Sequence, residues 1–157
     1  MAGDGLGSMI KIRKAKSGDS ERIVELQLKM ARETEGLKLN KNVVSKGVRG
    51  VFQQPARGTY WVAEEQGKIL GALLAIPEWS DWRNGTVLWI HSLYVVPEAR
   101  GRGVFKKLYL NLTKQVMESP ELVGLRLYVD KQNKSAQKIY EKLGMRRDHY
   151  ELYEWLK

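Results

Sequence analysis

The stretch PEARGRGVFKKLYLNL, Pro97 to Leu112, sets two glycines and four cationic residues just ahead of a helical apolar pattern. The segment before it, TVLWIHSLYVV, is rich in β-branched and aromatic residues and predicts a strand. Phe105, Leu108, Leu112 and Val116 then form the apolar stripe of a helix. Between strand and helix, Gly101 and Gly103 allow positive φ and a close approach of backbone to ligand. The first N–H groups of such a helix, with the positive end of its dipole, form an anion site. Arg100, Arg102, Lys106 and Lys107 add charge around it, and a pyrophosphate is a suitable guest. On local sequence alone, a simple tight turn explains the glycines equally well.

Two familiar phosphate motifs are excluded. No glycine-rich loop ends in Gly-Lys-Ser/Thr. No G-x-G-x-x-G opens a first βαβ unit.

Outward from this stretch, the elements alternate. MIKIRKA from Met9 predicts a strand, and ERIVELQLKMARETEG predicts a helix with Ile23, Leu26 and Met30 on one face and Gly36 at its end. Asn40 is placed to cap a second helix carrying Val44, Val48, Val51 and Phe52, closed by Pro55. TYWVAEEQGKILGALLAIPEW predicts two strands around a turn at Gln66-Gly67, the second nearly continuously apolar. SDWRNG is a loop ahead of the long strand. Beyond the central helix, LRLYV predicts a strand, NKSAQKIYEKLG a capped helix, and MRRDHYELYEWL one or two closing strands. The expected order is β-α-α-β-β-β-α-β-α-β, a mixed α/β (α+β) fold in one domain from residue 9 to 157. MAGDGLGS, residues 1–8, reads as an expression leader ahead of a second methionine.

The totals bound the function. The 157 residues carry no cysteine, which excludes disulfides, thiolate metal sites and thiol nucleophiles. With 43% hydrophobic and 29% charged residues, the composition is that of a globular protein with no membrane span or signal core, and a cytoplasmic location is the default. The net charge of +9 points to an anionic partner: nucleic acid, a nucleotide-like cofactor or an acidic protein.

Two motifs choose among these. LYVVPEARGRGVFKKLY resembles the central motif of the GCN5-related N-acetyltransferase (GNAT) superfamily, in which a bulged strand is followed by Pro, then Arg-x-x-Gly-x-Gly/Ala and a helix. Arg100 and Gly103 match its first and fourth positions, while Phe105 stands where the family has Gly or Ala. The phosphate assignment therefore requires the Phe105 side chain to point into the core stripe with Leu108 and Leu112. NKSAQKIYEKLGM resembles the second hallmark of the same family, with Asn133, Ala136, Tyr140 and Gly144 on its marked positions and Met145 in place of the usual aromatic. The order of elements agrees across the whole domain.

The resemblance implies acetyl-coenzyme A as donor, a primary amine as acceptor and no metal. It implies that WIHSLYVV is bulged and splayed from LRLYV, that Leu93 and Val95 pair with the pantetheine arm, and that the backbone from Arg100 through Gly101, Arg102, Gly103, Val104 and Phe105 to Lys106 holds the pyrophosphate. A strand N–H at the bulge would stabilise a developing oxyanion. Tyr140 matches the family's proton donor to the leaving thiolate, a phenol of pKa ~10 being protonated at neutral pH; the alternative is a tyrosine that only packs on the sheet. Asn133 caps its helix and reaches the cofactor.

For the base, Glu78 ranks ahead of His91. Acidic Glu78 and Asp81 interleaved with Trp79 and Trp82, together with Trp89 and His91, make a candidate cage for a cationic amine, with Glu33 and Glu35 on its rim. The competing reading makes the tryptophans core or dimer-interface anchors. Superfamily members are often homodimers. Two rival functions stand behind acetyl transfer: a non-catalytic acyl-coenzyme A sensor on the same fold, and a basic nucleic-acid-binding domain, which lacks any recognised motif.

Overall fold

The long apolar run after Gly67 forms the middle strand of the sheet. A computed structural model describes residues 9–147 and 149–157; the expected leader, residues 1–8, lies outside them. Five strands, β1 (Lys11–Lys14), β2 (Thr59–Glu65), β3 (Lys68–Ser80), β4 (Gly85–Val95) and β5 (Leu122–Leu127), form one sheet in sequence order. β1 to β4 pair antiparallel, and β5 runs parallel to β4. The helices are α1 (Ser20–Glu35), α2 (Lys41–Gln53), α3 (Val104–Glu118) and α4 (Lys134–Lys142). The architecture is the mixed α/β arrangement expected.

Local chemistry explains the element ends. Gln66 and Gly67 are both left-handed, at φ 48° and 77°, the two-residue turn that suits the twist of a hairpin. Asn40 caps α2 by accepting from the N–H groups of Asn42 and Val43 at 2.9 and 3.3 Å. Ile23 and Leu26 of α1, Val62 and Leu73 of the sheet, and Leu108 and Leu112 of α3 form the fully buried centre. Each fully buried aliphatic side chain is worth about 1.5–3 kcal/mol. Arg13 of β1 is held by both oxygens of Asp19, at 2.8 and 3.1 Å, and by Glu64.

Three expectations change. The core residue at the start of α3 is Val104; Phe105 is half-buried and stacks on Tyr109 at 6.3 Å instead of joining Leu108 and Leu112. One residue turns a helix by about 100°, so the shift moves the seam off Phe105. The SDWRNG loop is shorter than expected, because β3 runs through Ser80 and β4 begins at Gly85. The strand after α3 is Leu122–Leu127, three residues earlier than LRLYV suggested.

The chain falls into two units, one ending at Leu127 and the other Tyr128–Lys157. Within the smaller unit, Asn133 caps α4 by accepting from the Ala136 N–H at 3.2 Å. Gln137 is buried there; its Nε2 donates to the carbonyls of Asp130 and Lys131, both at 3.0 Å, and its Oε1 accepts from Arg147 at 2.8 Å. The closing strand expected in MRRDHYELYEWL, which includes the undescribed Asp148, is absent among the described residues, and 149–157 are all exposed. Alternation supplies a strand's two faces, but a strand exists only where a neighbour completes its hydrogen bonds.

Candidate cofactor and acceptor site

The site begins with a misfit between β3 and β4. Ala72 pairs with Tyr94 and Leu74 with His91, so Ser92 and Leu93 together oppose Leu73. This is a β-bulge, and it puts Ser92 in the left-handed region at φ 52°. Gln27, buried on α1, donates its Nε2 to the Ser92 carbonyl at 3.4 Å. On the other side of β4, pairing with β5 ends at Ile90 opposite Leu127. The Val96 N–H donates to the Leu70 carbonyl at 2.9 Å, so alternation turns the backbone groups of Val95 and Leu93 away from β3. Beyond Ile90, then, β4 presents an edge no longer paired with β5, and Leu93 and Val95 lie on it.

That edge leads directly into the glycine turn. After a short 3-10 turn, Pro97–Ala99, Gly101 and Gly103 take φ 76° and 77°, and α3 starts at Val104. A Cβ at either glycine would meet nothing within 4 Å, so the ground above the loop is open. Lys107 is the first residue of α3 to bond backward, its N–H donating to the Gly103 carbonyl at 3.0 Å. The N–H groups of a helix's first turn precede this bond and point out along the helix axis, as the geometry of a helix start requires. The Phe105 ring does not enter the core stripe as the phosphate assignment required; it stacks on Tyr109, one turn further along α3. A pyrophosphate fits this cradle, and an extended amide-bearing arm fits the β4 edge.

The arginines of the loop serve another purpose. Arg102 grips Glu65 at 2.6 and 3.0 Å. Arg100 pairs with Glu33 at 2.6 Å, donates from Nε to the Val95 carbonyl at 3.0 Å, and sits 5.4 Å over the Tyr94 ring. Tyr94 donates its hydroxyl to the other Glu33 oxygen at 2.8 Å. Hydrogen bonds from Arg100 and Tyr94 hold the Glu33 carboxyl below its usual range, while burial and Glu33 push the Tyr94 phenol up. Lys106 and Lys107 are exposed.

The acceptor candidates spread along the β3–β4 hairpin. Trp79 and Trp82 are 64% and 89% exposed, which removes the reading that makes them core residues. Asp81 accepts from the Trp82 backbone N–H at 2.9 Å. Glu78 receives Arg126 of β5 at 3.1 Å, and the Arg126 guanidinium lies 5.8 Å over Trp89. His91 is half-buried, 6.3 Å from the Trp89 ring, and burial lowers its pKa, keeping it neutral at neutral pH. In register Glu78 faces Val87 and His91 faces Leu74, a separation of about 13 Å along the strand. Glu35 is exposed at the end of α1. In the smaller unit, burial raises the Tyr140 phenol above its usual value, so it stays protonated.

Sequence reasoning missed Gln27, Glu65, Tyr94 and Arg126. Gln27 carried a signal: a polar residue on the apolar face next to Ile23 and Leu26. The others meet their partners only through the tertiary fold and left no local trace.

The family model described as Acetyltransferase (GNAT) family matches residues 22–145. A possible acetyltransferase from Clostridium difficile 630 is 37% identical, with 95% of this chain and 98% of that one covered at a TM-score of 0.89. The fold is also shared with ribosomal-protein-alanine N-acetyltransferase from Brucella melitensis biovar Abortus 2308, at 16% identity, 95% and 100% coverage and TM-score 0.78. Glucosamine-6-phosphate N-acetyltransferase from Arabidopsis thaliana is similar at 22% identity, 95% and 99% coverage and TM-score 0.70. No curated relative matches the chain. An acetyltransferase family model spanning most of the chain, joined to a bulged strand that feeds a glycine-gated helix start, makes this protein a member of the GNAT family of acyltransferases.

Proposed function

We propose that this chain moves an acetyl group from acetyl-coenzyme A to a primary amine by direct attack in a ternary complex. The observation that carries the reading is the continuity of the β4 edge, from the Ser92 bulge through Val95, with the helix start at Gly103–Lys106. When bound, the donor supplies an activated acetyl thioester. Leu93 and Val95 orient its arm by backbone pairing, and the N–H groups of Val104, Phe105 and Lys106 hold its phosphates. A backbone N–H at the bulge stabilises negative charge on the carbonyl oxygen.

Tyr140, kept protonated by burial, returns a proton to the leaving sulfur, and Asn133 holds the start of its helix. His91 and Glu78 are the groups to take a proton from the amine. His91 suits the role because it is neutral at working pH, whereas Glu78 must first loosen from Arg126. Trp79, Asp81 and Trp82 offer an exposed acidic and aromatic rim that favours a cationic amine, with half-buried Trp89 further along β4 opposite Ile76. The family match over residues 22–145 supports reading residues 9–157 as one catalytic domain. A homodimer belongs to the same reading, supported by the exposure of Tyr153, Trp155 and Leu156 at 90%, 91% and 81%, since exposed apolar groups mark contact surfaces.

The test is release of free thiol from acetyl-coenzyme A across a panel of polyamines, aminoglycosides, amino sugars, lysine-like amines and peptides. Amine-dependent release supports the reading. Tight coenzyme A binding with no release by any amine would instead make the protein an acyl-coenzyme A sensor.

A further inference from the structure

Glu33 was expected on the amine rim, yet its exposed carboxylate is engaged by two groups of the protein itself. One oxygen takes Arg100 at 2.6 Å and the other takes the Tyr94 hydroxyl at 2.8 Å. Each partner belongs to a different part of the donor site: Arg100 opens the glycine turn, and Tyr94 lies between Leu93 and Val95 on β4. Arg100 adds a third tie through Nε to the Val95 carbonyl at 3.0 Å, and its guanidinium lies over the Tyr94 ring. A planar fork of donors makes these contacts together; an ammonium could not. The last turn of α1 is thereby joined to the turn that precedes α3.

We propose that Glu33 is a positioning residue for the donor: through Arg100 and Tyr94 it fixes the phosphate-binding turn relative to the β4 edge. The proposal rests on the acetyl-coenzyme A reading of that site. Arg100 in this role is a strut whose guanidinium is occupied by protein groups, while the backbone beyond it receives the phosphates.

The charge of Glu33 separates this role from a purely electrostatic one. A carboxylate near a phosphate site repels the ligand, so if only charge mattered, Glu33→Gln would tighten coenzyme A binding. Positioning requires the opposite. In calorimetric titration with coenzyme A, Glu33→Gln is expected to weaken binding about threefold, the upper scale for an exposed ion pair. Arg100→Lys, which keeps the charge and loses the fork, should weaken it similarly. The double variant should bind no worse than either single one, because both break the same strut.

Tighter or unchanged binding in Glu33→Gln, or additive losses in the double variant, would overturn the proposal. So would an Arg100→Lys protein that binds like the parent. A parent protein that binds no coenzyme A removes the site reading and this inference together, whereas parent binding with unaffected variants removes the inference alone. Thermal melting of each variant accompanies the titrations, and Tyr94→Phe, which leaves the Arg100 pair in place, should give a smaller loss than Glu33→Gln.

Discussion

Arg102 and Glu65 form a two-pronged ion pair at 2.6 and 3.0 Å, tying the glycine turn to the end of β2. The pair is on the surface, where such contacts contribute little to stability, and the Arg102 guanidinium is turned to the carboxylate. Arg102→Ala should therefore lower coenzyme A affinity by no more than about threefold, as expected of an exposed pair. A much larger loss in titration would make the guanidinium itself a phosphate ligand.

The backbone of the same turn is far less forgiving. Gly103 holds φ 77° at the start of α3 with open space around it, so an added methyl group meets no neighbour but strains the backbone. That conformation costs an L-residue about 1–2 kcal/mol. Gly103→Ala should relax out of it, tilt the first N–H groups of α3 and weaken coenzyme A by about tenfold, the equivalent of 1.4 kcal/mol. Gly18, outside the site and likewise with nothing near an added methyl, is the control: Gly18→Ala should leave binding unchanged.

Tyr140→Phe tests the chemical step. The phenol is raised by burial and remains protonated across the neutral range, so its loss removes a proton donor and no charge. Turnover should fall about hundredfold, in the range for general acid catalysis, with coenzyme A affinity unchanged. Equal loss of both would reassign Tyr140 to packing.

These predictions separate what the sequence made legible from what it did not. The strand, the glycine turn and the helix start were readable because each is a local event: β-branching, positive φ and an apolar stripe are properties of neighbouring residues. Asn40 and Asn133 were readable as caps for the same reason. The partners of Arg100 and Arg102 were not, since Glu33 and Glu65 reach them only through the tertiary fold. The surplus of cations pointed to an anionic ligand, and part of it is answered by the protein's own carboxylates. Phe105 was placed one step wrong because seam position depends on where the helix begins. The closing strand was over-read because alternation in YELYEWL describes faces without supplying a neighbour.

Exposure of that tail leads to a prediction about assembly. Tyr153 and Trp155 are 90% and 91% exposed, and large aromatic residues are favoured anchors at protein interfaces. Light scattering should give a dimer for the parent chain and a monomer for the Tyr153→Ser/Trp155→Ser variant at the same concentration. A parent monomer throughout the micromolar range would remove the dimer.

The pH dependence of stability follows from His91 on one side and the carboxylates Asp19 and Glu33 on the other, opposite in charge and the same in sign of effect. His91 has its pKa lowered by burial, so the unfolded chain binds the proton more readily. Its contribution is complete above the unfolded value of about 6.5 and is lost as pH falls through that value towards the folded one. Asp19 is also lowered, chiefly by its hydrogen bonds from Arg13. Its contribution is complete above about 3.9 and lost on further acidification. Urea unfolding should thus weaken in two separate windows, one below about pH 6.5 and one below about pH 4. His91→Gln should flatten only the upper window, and Asp19→Asn should reduce only the lower, leaving the share that Glu33 carries. Arg13→Ala, which leaves Asp19 and Glu64 without their cation, should cost about 1.5–3 kcal/mol at neutral pH, the worth of hydrogen bonds to charged groups. An upper window that persists in His91→Gln would assign it to another group and would weaken the case for a neutral His91 beside the bulge.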